Sequence, residues 1–416
     1  MTDLLGKITQ LETHFDVREP QVLAFLPEEG RFDRLRREAA ALLEKYPNPK
    51  NHPPLFGTLL GVKDIFHIDG FPTRAGSQLP PEVLRGEEAE SVTLSKEAGA
   101  LILGKTVTTE FAYFAPGPTR NPHKPASGAA HTPGGSSSGS AAAVAAGLCE
   151  LALGTQTIGS VTRPAAFCGV FGYKPSFDRI SKAGVIPLST SLDHVGLFAP
   201  DLAGLGRGAR TLCQNWRDLL APTRRPVLGI PEGPYLDHVE EEGLSHFRAT
   251  CQKLTRAGFT LVPIPAMPDF DEIVERHNLI TAAEAAQAHA KWFSQYSERY
   301  HPKTAGLIHR GQQITNYQLR ITRKSLASLR NRLTTLMAKH NLDLWLSPSA
   351  PGPAPKGLGS TGNPVMNLPW THAGLPTLGL PSGTSENGLP LGLQLAARFG
   401  ADEQLFPWGA MIALVL

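Results

Sequence analysis

Residues 226–265 read PVLGIPEGPYLDHVEEEGLSHFRATCQKLTRAGFTLVPIP, and their periodicity decides the fold class. PVLGIP is a short apolar run bounded by turn residues, as in a buried strand. Leu244, Phe247, Cys251 and Leu254 then recur at helical spacing, and Gly258 stops the helix. TLVPIP (260–265) is a second apolar run. Strand, helix, strand at this spacing predicts a βαβ unit. Its strands must be parallel, because the helix carries the chain back across the sheet.

The same alternation extends in both directions. TLLGVKDIF (58–66) predicts a strand, AESVTLSKEAG (89–99) a helix and ALILGKTV (100–107) another strand. DLWLSP (343–348), PTLGLPSG (376–383) and LGLQLAAR (391–398) predict three more strands. Residues 270–340 are helical, with aromatics at Trp292, Phe293, Tyr296, Tyr300 and Tyr317. The N-terminal MTDLLGKITQLETHF predicts an amphipathic first helix, and FPWGAMIALVL a docked last one. No internal repeat, low-complexity tail or linker interrupts this pattern, so it predicts one large α/β domain.

Composition bounds the function. The chain has 416 residues, enough for a sizeable core, with 41% hydrophobic and 19% charged residues. A net charge of +3, with no block of five like charges, argues against a nucleic-acid or membrane surface. The 41 Gly and 36 Pro follow no period and predict many shaped turns. The N-terminus has neither a basic region nor a continuous apolar run of the secretory kind. No segment reaches the roughly 18 apolar residues of a membrane span. Cys149, Cys168, Cys213 and Cys251 lack CxxC spacing, which predicts reduced, mostly buried thiols and a cytoplasmic setting.

Two short motifs invite chemistry. GALILGKT (99–106) matches the phosphate-loop pattern, with Lys105 and Thr106 in the key places. Such a loop needs its backbone N–H groups turned inward. Here Ala-Leu-Ile-Leu favours a buried strand with the two glycines at opposite ends. GSSSG (135–139) matches the nucleophile elbow of an α/β-hydrolase esterase, with Ser137 as nucleophile. That elbow must follow a strand directly, whereas AHTPGG is loop. No convincing Asp–His pair accompanies it.

Three longer segments carry a more specific signal. GVKDIF surrounds Lys63, PGGSSSGSAAAVAAG surrounds Ser136, and GTQTIGSVTRPAAFCG surrounds Ser160. With these the chain resembles the amidase signature family, densely over about 50–200 and loosely elsewhere. AGVIPLSTSLDHVG (183–196) and the segment from PVMNLPWTHAG to GLPLGLQL (364–395) match later parts of the family. The resemblance implies a single domain over 1–416, with a signature core at about 55–200. It implies a mixed, mostly parallel central sheet covered by helices on both faces.

It also implies a mechanism. Ser160 would be the nucleophile and Lys63 the base. Ser136, held by a cis peptide bond to Gly135, would bridge them. Positions 136 and 160 meet the family's 24-residue spacing. The N–H groups of Thr157, Ile158, Gly159 and Ser160 would form the oxyanion hole, where fixed donors stabilise the tetrahedral intermediate. Each role has a chemical reason. Serine needs a base to take its proton. At an ordinary pKa of ~10.4, about one lysine in 2,500 is neutral at pH 7. Burial must lower that pKa by roughly three, about 4 kcal/mol of differential destabilisation of the ammonium. A strand places Asp64 on the face opposite Lys63. No metal or other cofactor is expected.

The chain departs from the family pattern at three places. Gln156 replaces the usual Asp, Ile158 replaces a Gly, and the usual Arg at 162 is Thr162, followed by Arg163. The implied activity is hydrolysis of a small or medium linear amide, with aryl amides, carbamates and ureas as close variants. Substrate choice would fall to the helical region 270–340 and the loops near 113–130 and 350–372. Gly135, Ser137, Tyr113, Phe114, Trp292 and Trp370 are the candidate substrate-binding residues, although helix aromatics are more often core. The expected partners are a small-molecule amide and, by default, a second copy in a homodimer. No nucleic acid and no membrane are expected. The rival reading is the A subunit of a tRNA-dependent amidotransferase.

Overall fold

The computed structural model describes residues 3–124, 128–220 and 222–416. Met1 and Thr2 of the first predicted helix, and residues 125–127 of the loop near 113–130, lie outside the described residues. Among the described residues ten strands form a single sheet: β1 Leu59–Lys63, β2 Leu101–Thr106, β3 Leu151–Gln156, β4 Phe171–Lys174, β5 His194–Ala199, β6 Val227–Pro231, β7 Thr260–Ile264, β8 Leu344–Pro348, β9 Thr377–Thr384 and β10 Pro390–Ala396. Their spatial order is β2-β1-β3-β5-β4-β9-β10-β8-β6-β7.

Burial explains why these segments are strands. Every residue of β1, β2, β3, β5 and β8 is buried. Alternate side chains enter different apolar clusters, as a period of two requires. Leu60, Val62, Leu151, Leu153, Val195 and Leu197 pack with the helices Leu202–Leu212 and Leu405–Ala413. Leu59, Ala152 and Phe198 pack with the alanine-rich helix Ser138–Ala145 on the other face. Both faces are therefore dry, which is why the strands read as apolar runs.

The βαβ unit at 226–265 is present: β6 and β7 pair in parallel, joined through the helix Glu241–Arg256. β1 likewise pairs in parallel with β2 and β3. Parallel pairing does not predominate, however. The sheet's centre, from β3 through β5, β4, β9 and β10 to β8, is antiparallel at every step. The difference centres on β4 and β5, strands of four and six residues inside the signature core, which pair antiparallel with each other and with β9 and β3. β9 and β10 reverse through a brief turn at 385–389, which leaves no room for a crossover helix. The helical stretch resolves into Phe270–Ala288, Ala290–Tyr296, Pro302–Gln312 and Asn316–Lys339. Among the described residues no helix is long and apolar enough to cross a membrane.

Because β1 and β3 are parallel, their carboxyl ends, at Lys63 and Gln156, open on the same sheet edge. Open α/β sheets place ligands at such an edge. The antiparallel neighbour β5 begins there, with Asp193 just before it.

Candidate active site

Lys63 is the last residue of β1 and has no solvent exposure. Its Nζ donates to Ser136 Oγ at 2.7 Å and to Thr155 Oγ1 at 2.7 Å. Removal from water disfavours the ammonium and pushes its pKa well below the ordinary value, while the Asp193 carboxylate acts in the opposite sense. Asp64 lies on the opposite face and forms a buried ion pair with Lys105 at 3.0 Å. That pair accounts for Lys105 of the phosphate-loop match, whose residues Leu101–Thr106 are β2 itself.

Ser136 follows a cis peptide bond from Gly135. It stands two residues before the helix Ser138–Ala145, which packs on β1 and β3 and so fixes the serine beside Lys63. Ser160 lies on the turn after β3 and leads into the helix Thr162–Cys168. Ser136 and Ser160 line one small cavity, together with Thr157, Ile158 and Arg163. Ala112, Tyr113, Phe114, Leu188, Thr361 and Pro364 complete its wall.

The turn 157–160 is held from several sides. Thr157 Oγ1 donates to Asp193 Oδ1 at 2.5 Å, and Asp193 Oδ2 accepts from the N–H groups of Leu188 and Ser189 at 2.9 Å. The carbonyl of Ile158 accepts from Thr371 Oγ1 at 2.7 Å, and that of Gly159 accepts from the Arg163 N–H at 3.1 Å. Two of the turn's carbonyls are thus occupied elsewhere. A Cβ on Gly159 would lie 2.3 Å from Asn367 Oδ1, so only glycine fits. Ile158 packs its side chain into an apolar cluster with Val365, Met366 and Trp370, an anchor that glycine would lack.

The sequence candidates divide. Tyr113 and Phe114 line the cavity. Trp370 does not: it is wholly buried against Trp345 and Tyr235, and its Nε1 donates to the Tyr235 hydroxyl at 3.2 Å. Nor does Trp292, which stacks on Phe111 and donates to the Val83 carbonyl. Both aromatics are spent on packing. Ser137 is a backbone brace, with no solvent exposure. Its Oγ accepts from the Thr155 N–H and donates to the Thr155 carbonyl, each at 3.2 Å. It follows loop, so the elbow geometry is not formed. Gly135 serves through its carbonyl, which accepts from Arg163 Nη2 at 2.7 Å.

The helical region 270–340 supplies none of the cavity's wall. It acts from behind. Glu284 accepts from Ser189 Oγ and Ser191 Oγ, each at 2.6 Å, and ties the helix Phe270–Ala288 to the segment before Asp193. Sequence reasoning passed over Thr155, Asp193 and Thr361. Asp193 lay inside a quoted family segment, but nothing in its neighbours announces that it folds back onto Thr157.

A buried lysine bonded to a serine at the carboxyl edge of an α/β sheet defines a class of hydrolase that activates serine without histidine. The family model named Amidase matches residues 29–406, and the chain belongs to that family, the amidase-signature hydrolases. The glutamyl-tRNA(Gln) amidotransferase A subunit from Synechococcus sp. (strain WH7803) is 30% identical, over 91% of this chain and 86% of that protein. A solved structure of an amidase superimposes with a TM-score of 0.86 at 32% identity, covering 99% of this chain and 95% of that one. A solved structure described as a vestigial protein complex that reveals the evolutionary origins of an s-triazine catabolic enzyme gives 0.86 at 26% identity, covering 100% and 95%.

These relatives overturn the expectation that nucleic acid has no place here, since the curated ones are subunits of a tRNA amidotransferase. Composition misled because the net charge of +3 is spread thinly. Contacts made within an assembly need not appear as a basic run.

Proposed function

We propose that this chain cleaves the C–N bond of a linear carboxamide, carbamate or urea derivative through an acyl-enzyme on Ser160. The observation that carries this reading is the 2.7 Å contact of the wholly buried Lys63 Nζ with Ser136, in a cavity that also holds Ser160. A neutral Lys63 takes the Ser136 proton as Ser136 takes that of Ser160, whose Oγ attacks the carbonyl carbon. The N–H groups of Thr157, Ile158, Gly159 and Ser160 receive the oxyanion. On collapse the proton returns along the same path to the departing nitrogen, and water then cleaves the ester. Labelling with a fluorophosphonate and mapping by peptide mass spectrometry tests the assignment. An adduct on Ser160 is expected, and an adduct elsewhere would refute it.

A second reading concerns context. The match to amidotransferase A subunits along most of both chains supports a role within an assembly, where the amide nitrogen passes to an RNA-linked acceptor. Activity of the isolated chain, compared with that in the presence of partner subunits and charged tRNA, separates this from a free-standing amidase.

A further inference from the structure

The turn 157–160 is aimed from behind. In a trans peptide the C=O and the following N–H point in opposite directions. Each carbonyl held at the back of the turn therefore sends the next residue's N–H to the other side. Thr371 holds the Ile158 carbonyl and so aims the Gly159 N–H. The Arg163 N–H holds the Gly159 carbonyl and aims the N–H of Ser160. The Thr157 carbonyl, which aims the Ile158 N–H, faces His277, a residue of the helix Phe270–Ala288 with no solvent exposure. The Thr157 backbone is the acceptor that favours a proton on this ring.

Two further side chains stand behind His277. Its Nδ1 meets His372 Nδ1 at 3.3 Å, and His372 Nε2 meets Ser325 Oγ at 2.8 Å. His372 ends the helix Leu368–His372, next to the Thr371 that holds Ile158, and is buried. Burial pushes the pKa of His277 well below its ordinary value and that of His372 down to about 4, so both rings stay uncharged at neutral pH. Two neutral rings that meet Nδ1 to Nδ1 share a single proton there, in one of two orders. In the first, Ser325 gives its proton to the Thr322 carbonyl, 2.6 Å away, every donor points away from Thr157, and His277 Nε2 is left buried without a partner. That carbonyl already serves the ladder of the helix Asn316–Lys339. The reverse order leaves no nitrogen of the pair unpaired.

We propose that Ser325, His372 and His277 form an ordered chain that positions the oxyanion turn. Ser325 Oγ–H donates to His372 Nε2, His372 Nδ1–H to His277 Nδ1, and His277 Nε2–H to the Thr157 carbonyl. His277 is thus a positioning residue: it lines none of the cavity that holds the two serines, and it fixes the Ile158 N–H for the oxyanion without touching substrate. The proposal deepens the acyl-transfer reading and rests on it.

The test uses the full chain with isotope-labelled histidine. Nitrogen NMR at neutral pH should find His277 as the Nε2–H tautomer and His372 as the Nδ1–H tautomer, and the opposite pair would overturn the chain. The second readout is the rate at which a fluorophosphonate labels Ser160, because its phosphoryl oxygen occupies the oxyanion hole. Gln and Met have nearly the same shape, but only Gln carries a donor near the place of Nε2. His277→Met should slow labelling about tenfold, and His277→Gln should keep most of the rate. Neither should move the acidic limb of the labelling-rate profile, which belongs to Lys63; a shifted limb would assign the effect to the base and overturn the chain. A packing role predicts that the apolar Met is tolerated at least as well as Gln. Wild type labelled at Ser160, with the two variants alike, overturns the chain and leaves acyl transfer standing. Ser160 unlabelled in wild type overturns both.

Discussion

Gln156 Oε1 accepts hydrogen bonds from the N–H of Thr162 at 3.0 Å and from its hydroxyl at 3.2 Å. The two positions are those where the family pattern carries an Asp and an Arg. Both replacements are neutral, both are wholly buried, and each satisfies the other. The same oxygen accepts from the Val161 N–H at 2.7 Å, and Gln156 Nε2 donates to Thr371 Oγ1 at 2.9 Å. The turn that carries Ser160 is therefore held by a neutral network in place of a charged one.

Restoring one charge alone should be damaging. Gln156→Asp would bury a carboxylate with no cation bonded to it and would lose the donor to Thr371. The expected cost is about 2–4 kcal/mol, the scale of an uncompensated buried charge. Urea unfolding of the variant beside wild type measures it, and an unchanged midpoint would contradict the network.

Lys63 should govern the pH dependence of both activity and stability. Its folded pKa is depressed by burial below the ordinary 10.5. Activity needs the neutral form, so turnover should rise with pH through the folded value and then level off. Between the folded value and 10.5 the unfolded chain holds a proton that the folded chain has shed. Stability therefore rises with pH across that window and is lost as pH falls through the folded value. Lys63→Met should lose activity by about 10²–10⁴. Its urea midpoint should also gain less than that of wild type between neutral pH and pH of about 9.5. Equal gains in the two proteins would mean that Lys63 titrates normally.

Ser137 should matter to stability and little to chemistry. β1 and β3 cease pairing at Val62 and Leu153, so the Thr155 backbone lacks a strand partner on that side. The Ser137 hydroxyl replaces it, accepting the N–H and donating to the carbonyl. Ser137→Ala should cost about 1–3 kcal/mol, the penalty for buried polar groups left unpaired. It should still label at Ser160. Loss of labelling in a folded variant would revive the esterase elbow.

Much of this was legible in the sequence where local pattern and tertiary role agree. Buried strands such as β1 and β6 show as apolar runs, and the three serine and lysine motifs fix positions that come together in space. What escaped depends on contacts between distant residues. β4 has only four residues, too few for a periodicity. Trp370 and Trp292 have the right chemistry for a pocket wall, yet their partners lie in the core. Thr155 is separated from Lys63 by 92 positions and carries no motif of its own. Even the shifted arginine, visible as a departure, reveals nothing of its burial against the Gly135 carbonyl until the fold is seen.

Thr155 supports a final expectation, because it is the second acceptor for the base. Its Oγ1 takes a hydrogen bond from Lys63 Nζ at 2.7 Å, opposite the one to Ser136. An acceptor of this kind orients the amine in either protonation state but favours the ammonium more strongly, since charge-assisted hydrogen bonds are the stronger ones. Thr155→Val keeps the shape and removes the acceptor. Two consequences follow together: kcat falls by about tenfold or more as the lysine loses its orientation, and the acidic limb of the pH–rate profile moves to lower pH. Thr155→Ser, which restores the hydroxyl, should return both towards wild type. A loss of rate with no movement of the limb would instead assign Thr155 to packing alone.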